Sequence, residues 1–340
     1  MSTERDNQMV WDGRSPGHYE VWYLTFNHRA SGTGFWIRYT LESPLPGHGE
    51  PYAQLWFARF DAQHPRRNLA LNRKLPIAEF GAQASPFELR LGDAVLRHGA
   101  LTGRLQSGSH EISWDLSFSP ASFTHRFFPD LIYDRSFADT KAVSPNLMVA
   151  LSGQIVVDDR TYTLVDEPGG QSHLWGRKHA HAHAWAHCNA FREDATAGLE
   201  VLSAKIRRGG FVSPTLTWMS LYLGSEVYAF RELWSVPLAR ASWETGLYRF
   251  SALGPLAKVE GEFRSRPEDL VRATYVDPDG QEAFCHNTEV ADAQVTLWTR
   301  RSVFSRFRQL CRLTARGTGH FEYVARTPDG RVERQHQTIR

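Results

Sequence analysis

Cysteine is scarce in this chain: Cys188, Cys285 and Cys311 are the only three in 340 residues, and no two form a CxxC pair. An odd, widely spaced set excludes a disulfide framework and a thiolate zinc site, and fits a reducing compartment. Long apolar runs are missing too, so nothing in the sequence spans a bilayer as a helix. The opening MSTERDNQMVWDG is polar and mixed in charge, without the apolar core of a targeting signal; the expected location is cytoplasmic. Charge of one sign is also lacking. With 39 Lys and Arg against 37 Asp and Glu, the formal net charge is +2, too small to recruit nucleic acid by bulk electrostatics. GxGxxG, GxxxxGK[ST], GxSxG and HExxH are all absent. SGTG (31–34) is a glycine loop within a hairpin and not a phosphate cradle. No cofactor is expected, and oligomeric state is left open.

Aromatic residues are abundant: 11 Trp, 11 Tyr and 20 Phe. Rings at that density fill β-sheet cores and line sites for apolar ligands. The dominant sequence period is two. HYEVWYLTF (18–26), GFWIRYTL (34–41), AQLWFARF (53–60) and HEISWDLSF (110–118) are short aromatic or β-branched runs bounded by turn residues. LEVLSAKI (199–206), LTWMSLYLG (216–224) and HFEYVAR (320–326) continue the pattern in the second half. Such runs read as strands. VVDDRTYTLV (156–165), DPDG (277–280) and TPDG (327–330) read as hairpin connections. No convincing helix of three turns is found, so the fold class is all-β and mostly antiparallel.

PGG (168–170) lies near the midpoint, and the two halves echo one another. Each opens with a Trp-bearing strand, a polar loop and a second strand, with Trp185 in the place of Trp22. Two barrel-like domains are expected, 1–168 and 169–340. The most basic stretch, TRRSVFSRFRQLCRLTAR (299–316), places Arg306, Arg308, Arg312 and Arg316 on one parity and Phe307, Cys311 and Leu313 on the other. A strand with one solvated face accounts for this better than a nucleic-acid surface does.

In HAHAHAWAH (179–187), His179, His181, His183, Trp185 and His187 share one parity, with alanines between. A strand would turn the rings to one face, toward a cavity or solvent, and pack the alanines against a neighbour. At about 3.3 Å per residue, the end members lie roughly 26 Å apart, so at most two neighbours could share a metal ion. A third ligand would have to come from elsewhere, for example His286 or His173. Lining a cavity wall is the better reading.

In HLWG (173–176) and WAHCNAF (185–191) the chain resembles the superfamily of tocopherol cyclase, the carotenoid 1,2-hydratases (hydroxyneurosporene synthases) and the AttH-like proteins. The match rests on Trp175, Gly176, Trp185, Cys188, Asn189 and Phe191, with His187 where the cyclases carry Gln. EVWYLTF…GFWIRYTL is similar to the family's first hairpin. The resemblance implies tandem lipocalin-like barrels that bind an isoprenoid- or lipid-like molecule. It also implies protonation of a carbon–carbon double bond, followed by capture of the cation. One position departs: Ser172 stands where the carotenoid hydratases carry Asp, and serine cannot protonate an alkene.

The acid must then lie elsewhere, as a carboxyl of raised pKa in an apolar pocket. Glu20 and Glu289 are the candidates, with Asn146 and Asp134 weaker. His173 and His187 would relay or orient, and Trp22, Trp175, His183, Trp185 and Asn189 would line the ligand site. A non-catalytic carrier of a hydrophobic molecule uses the same cavity without an acid. A metal-dependent enzyme built on His181 and His183 is the third reading. A peripheral place at a membrane stays open.

Overall fold

The computed structural model describes residues 3–134 and 138–339, and strands dominate it as the period-two runs predict. The first twelve are β1 (His18–His28), β2 (Thr33–Ser43), β3 (Tyr52–Asp61), β4 (Leu69–Pro76), β5 (Phe80–Gln83), β6 (Glu88–Leu91), β7 (Ala94–Arg97), β8 (Ala100–Ser107), β9 (His110–Phe118), β10 (His125–Arg126), β11 (Thr140–Val157) and β12 (Arg160–Gly176). There follow β13 (Ala182–Cys188), β14 (Gly198–Lys205), β15 (Arg207–Arg208), β16 (Phe211–Val212), β17 (Leu216–Leu223), β18 (Glu226–Phe230), β19 (Ala239–Glu244), β20 (Leu247–Leu253) and β21 (Ala257–Arg264). The last are β22 (Val271–Val276), β23 (Glu282–Thr299), β24 (Arg308–Ala325) and β25 (Gln337–Ile339).

Two large sheets account for nearly all of them. The first runs β25-β4-β3-β2-β1-β12-β11-β9-β8-β7-β6-β5, with β10 also on β11. The second runs β18-β17-β14-β13-β24-β23-β21-β20-β19, with β22 also on β23. The order β4-β3-β2-β1-β12-β11-β9-β8-β7 is thus repeated, strand for strand, in the second sheet. Each sheet curls around its own core. Trp22, Phe26, Phe35, Phe57 and Trp114 fill the first; Phe250, Phe263, Leu297 and Phe321 fill the second. A third apolar cluster, including Tyr23, Trp36, Trp56, Trp185, Val271 and Cys285, lies in the seam between the sheets.

Several expectations are revised. The change of sheet falls between Gly176 and Ala182, so residues 169–176 continue β12 of the first sheet. VVDDRTYTLV and DPDG do turn hairpins, β11–β12 and β22–β23. TPDG does not: after β24 the chain returns to the first sheet, where β25 pairs in parallel with β4. The echo between halves is real in topology, since β1–β2 corresponds to β13–β14. Its phase is not: Trp22 faces the first core, whereas Trp185 faces the seam. A one-residue shift exchanges the two faces of a strand.

Close approach of the sheets depends on a missing side chain. A Cβ on Gly34 of β2 would lie 2.5 Å from both Cβ and the carbonyl oxygen of Glu289 on β23. Gly34→Ala should therefore cost about 1–3 kcal/mol of stability through overpacking. Gly210→Ala, where an added Cβ meets nothing within 4 Å, should change stability by less than about 0.5 kcal/mol. Urea unfolding of the two variants checks the pair.

Candidate functional site

The residues expected to form one site divide between two faces of the first sheet. Glu20 of β1, with Trp22, His173 and Trp175, points into the first barrel, where the N-terminal segment closes over it. The amides of Val10 and Trp11 donate to the Glu20 carboxylate at 2.7 and 2.9 Å. His18 Nε2 lies 3.0 Å and His173 Nε2 2.8 Å from its oxygens. His173 Nδ1 meets the Asp6 carbonyl at 2.7 Å, so this ring faces an acceptor from each nitrogen. Trp22 stacks on His173 at 4.8 Å, and its Nε1 donates to the Asn7 carbonyl at 2.9 Å. Burial by itself would raise the Glu20 pKa, but hydrogen bonds from His173 and His18 outweigh it and hold the carboxyl down to about 2. A carboxylate so saturated is a structural anchor and not an acid of raised pKa. This corrects the role expected for Glu20.

The row of rings is also split. Strand β13 begins at Ala182, so only His183, Trp185 and His187 lie on it. Their faces correct the expectation: Ala184, Ala186 and Cys188 point into the second core, and the rings point across the seam at the first sheet. His179, ahead of the strand, stacks between Tyr19 and Tyr275 and bonds Asp277 through Nδ1 at 2.6 Å. His181 meets Arg207 at 3.2 Å, and His183 lies 3.5 Å from Glu322. Among the described residues, no three His, Cys, Asp or Glu side chains converge as they would around a metal ion. Asn189 ties the end of β13 to the first sheet through the Gly169 carbonyl at 2.9 Å. Asn146 bonds Gln171 at 2.5 Å, and the Asp134 side chain lies outside the described residues.

A transverse polar row crosses the seam face of the second sheet. Ser220, Glu200, His187 and His320 are successive cross-strand partners on β17, β14, β13 and β24. Glu289 of β23 follows, with Oε2 3.9 Å from His320 Nε2. All five are buried. The first sheet supplies their partners. The Thr25 hydroxyl donates to the Glu289 carboxyl, and Asn27 Nδ2 donates to the Glu289 carbonyl at 2.7 Å. Gly170 leaves room for His187, whose ring reaches the Leu147 carbonyl at 2.9 Å through Nε2. Glu200 accepts from Trp185 Nε1 with one oxygen, and its other oxygen is buried without a protein partner. Tyr23, edge-on to Trp185 at 5.6 Å, and Ser172, bonded to Ser144 at 2.8 Å, complete the wall.

Two backbone carbonyls fix the protons of this row. His187 Nε2 faces the Leu147 carbonyl and must carry hydrogen. The Glu289 carbonyl fixes the Asn27 amide, which turns Oδ1 toward His320 Nε2 at 2.9 Å, so that nitrogen also donates. The two Nδ1 atoms are then left facing each other at 2.9 Å. A neutral pair sets two lone pairs against one another; one proton lodged between the rings removes the clash. Burial opposes that charge, pushing His187 down to about 4 and His320 well below the ordinary histidine value. Burial likewise raises Glu200 and Glu289 well above the ordinary carboxyl value, against the hydrogen bonds from Trp185 and Thr25 that lower them. Two carboxyls pushed toward their neutral form and an imidazole pair that burial holds back from charging therefore share one buried seam.

Glu289 and His187 were legible as candidates, but Glu200 was missed. Its signal was the register of the β13–β14 hairpin, which sets it opposite His187. Reading each strand alone hides that pairing.

No protein-family profile matches the chain. An uncharacterised protein of Mycobacterium tuberculosis, in strains H37Rv and CDC 1551, is 26% identical over 322 residues, covering 92% of this chain and 87% of that protein. Among solved structures, an AttH-like protein of Nitrosomonas europaea superposes with a TM-score of 0.53 at 12% identity over 94% of this chain and 95% of that one. Kievitone hydratase of Nectria haematococca gives 0.53 at 6% identity, covering 90% and 88%.

Two pH effects of opposite sign should follow. Glu20 sits below the ordinary 4.5, so it stabilises the fold above that pH and loses the contribution as pH falls toward about 2. Glu20→Gln should cost about 3 kcal/mol at neutral pH, with the deficit shrinking through that acid range. Glu200 sits above 4.5, so the folded state holds the extra proton and stability falls as pH rises past 4.5. Glu200→Gln should flatten that fall by up to about 1.4 kcal/mol per pH unit. Urea midpoints from pH 3 to pH 8 read both slopes. What the chain shares with its solved neighbours at this level of identity is the fold: two lipocalin-like antiparallel β-sheet units in tandem, as in the AttH-like proteins.

Proposed function

We propose that the chain is a cofactor-independent enzyme that adds water across, or isomerises, a carbon–carbon double bond of an apolar, isoprenoid- or lipid-like molecule, with Glu200 as the proton donor. The observation carrying this reading is Glu200 itself: a buried carboxyl, neutral by burial, with one oxygen fixed by Trp185 and the other unpartnered. A carboxylic acid of this kind can protonate an alkene at neutral pH, as an ionised one cannot. Ser172, at the position where carotenoid hydratases carry Asp, faces the same seam beside Tyr23. The acid is thus supplied from the opposite sheet. One solved neighbour of the fold is named a hydratase, which agrees with this reaction class.

The step balances as follows. The Glu200 O–H bond breaks and a C–H bond forms at one alkene carbon, leaving a cation at the other. Trp185 and Tyr23 offer ring faces to that cation. Water adds to it, and the proton the water releases returns to the Glu200 carboxylate, so the enzyme is unchanged. The His187–His320 pair, on the next strands, orients that water. Exclusion of bulk water keeps the acid neutral and the cation from premature capture.

The test begins with organic extraction of purified protein and mass spectrometry, which names the apolar ligand. That ligand is then turned over in D2O. One deuterium should be fixed at carbon per product, and Glu200→Gln should lower kcat by about a thousandfold while ligand is still retained. Undiminished turnover in Glu200→Gln would remove the assignment of the acid. Retention without turnover in the parent protein would point instead to a carrier.

A further inference from the structure

The basic stretch near the C-terminus is not used by the seam. Residues 293–316 contain Arg300, Arg301, Arg306, Arg308, Arg312 and Arg316 and no aspartate or glutamate. The strand expected over 299–316 begins only at Arg308; residues 300–307 form the turn between β23 and β24. From β24 onward the expected division holds, with Arg308, Arg312 and Arg316 exposed and Leu313 buried. Beside this turn lies the β20–β21 turn. The Arg300 amide donates to the Leu256 carbonyl at 2.9 Å, and Arg300 Nε donates to the Pro255 carbonyl at 2.6 Å.

Both turns carry apolar side chains outward. Phe304 is 97% exposed, Val303 50%, Leu256 51% and Leu253 40%. Leu310 is exposed on the adjoining strand. Among the described residues, none of the six arginines is in an ion pair. The carboxylates of neighbouring elements are engaged elsewhere, Glu260 with Lys258 and Glu193 with the amide and hydroxyl of Thr314. One extremity of the second sheet therefore joins a protruding apolar tip to Arg301, Arg306 and Arg308, exposed arginines with no carboxylate partner among the described residues.

We propose that this tip docks on an anionic phospholipid bilayer, with Phe304, Val303, Leu253 and Leu256 entering the acyl boundary and the arginines meeting lipid phosphates. The combination of exposed apolar area and basic flanks is what interfacial binding requires, each reinforcing the other. Charge complementarity selects an anionic surface over a neutral one. The tip's single exposed ring, Phe304, stands among the aliphatic Val303, Leu253 and Leu256 on a protruding turn. That favours lipid over nucleic acid, which would use several rings at stacking distance along a groove. Docking of this kind needs no membrane-crossing helix, and among the described residues no helix is long and apolar enough to be one. The proposal is independent of the chemistry in the seam.

Co-sedimentation of the full chain with phosphatidylcholine vesicles, with and without about 30% phosphatidylserine, tests it. The serine lipid should raise the bound fraction about tenfold at low salt, and the gain should vanish as ionic strength screens the arginines. Val303→Ser with Phe304→Ser should weaken binding about tenfold, and Arg301→Glu with Arg306→Glu should abolish the preference for phosphatidylserine. Equal sedimentation on both vesicle types, or binding indifferent to these variants, overturns the proposal. So does tighter binding to a single-stranded DNA oligonucleotide than to the anionic vesicles, lost in the same arginine variant.

Discussion

Two sheets in this protein meet through groups that neither can satisfy alone, and the rest of the seam is arranged around that requirement. His187 and His320 stand on the second sheet, but the acceptors that fix their Nε2 hydrogens, the Leu147 carbonyl and Asn27, stand on the first. Glu289 is held by Thr25 and Asn27 in the same way. Buried polar groups cost stability unless they are paired, so the two sheets are tied to one relative position by their hydrogen bonds as well as by Trp36, Trp56 and Trp185. Gly34 and Gly170 allow this by having no side chain where Glu289 and His187 pass. A carbonyl-anchored network of this kind leaves little freedom in where its protons lie. That is why two Nδ1 atoms end up face to face.

The repeat in the chain has diverged by use. Both halves share one strand order, yet the first hairpin of each carries its large rings on opposite faces. In the first half Trp22 fills the barrel, with Glu20 and His173 beside it as a closed and ionised cluster. In the second, small residues line the barrel at Ala184 and Ala186, and the rings face outward onto the seam. One carboxylate was thereby made an anchor. Others were made neutral acids, through the number of donors each one meets: four around Glu20 and one each at Glu200 and Glu289. Hydrogen-bond supply, more than burial, separates the two kinds, since all three are buried.

The basic tip belongs to a different part of the same architecture. The long hairpin β23–β24 passes Glu289 and His320 at the seam and ends in the turn that carries Phe304. One element thus contributes to the buried polar row at one level and to the exposed apolar extremity at another.

Much of this was decided by the sequence alone. Period-two alternation of aromatic and polar residues dictates strands, because side chains alternate across a pleated backbone. The scarcity of cysteine and the absence of phosphate-loop and metalloprotease motifs removed whole classes of chemistry. The histidine row, Glu289, and Trp175 with Gly176 could be singled out for the same reason: they are local patterns. What the sequence could not decide was which face of each strand meets which neighbour. That choice rests on register and on the docking of one sheet against the other, where a shift of one residue exchanges core for seam. It made Glu20 an anchor and brought His320 to His187 from 133 positions away. It also placed Glu200, unremarkable in LEVLSAKI, beside Trp185 as a neutral acid, because neutrality is a property of surroundings that only the folded chain assembles.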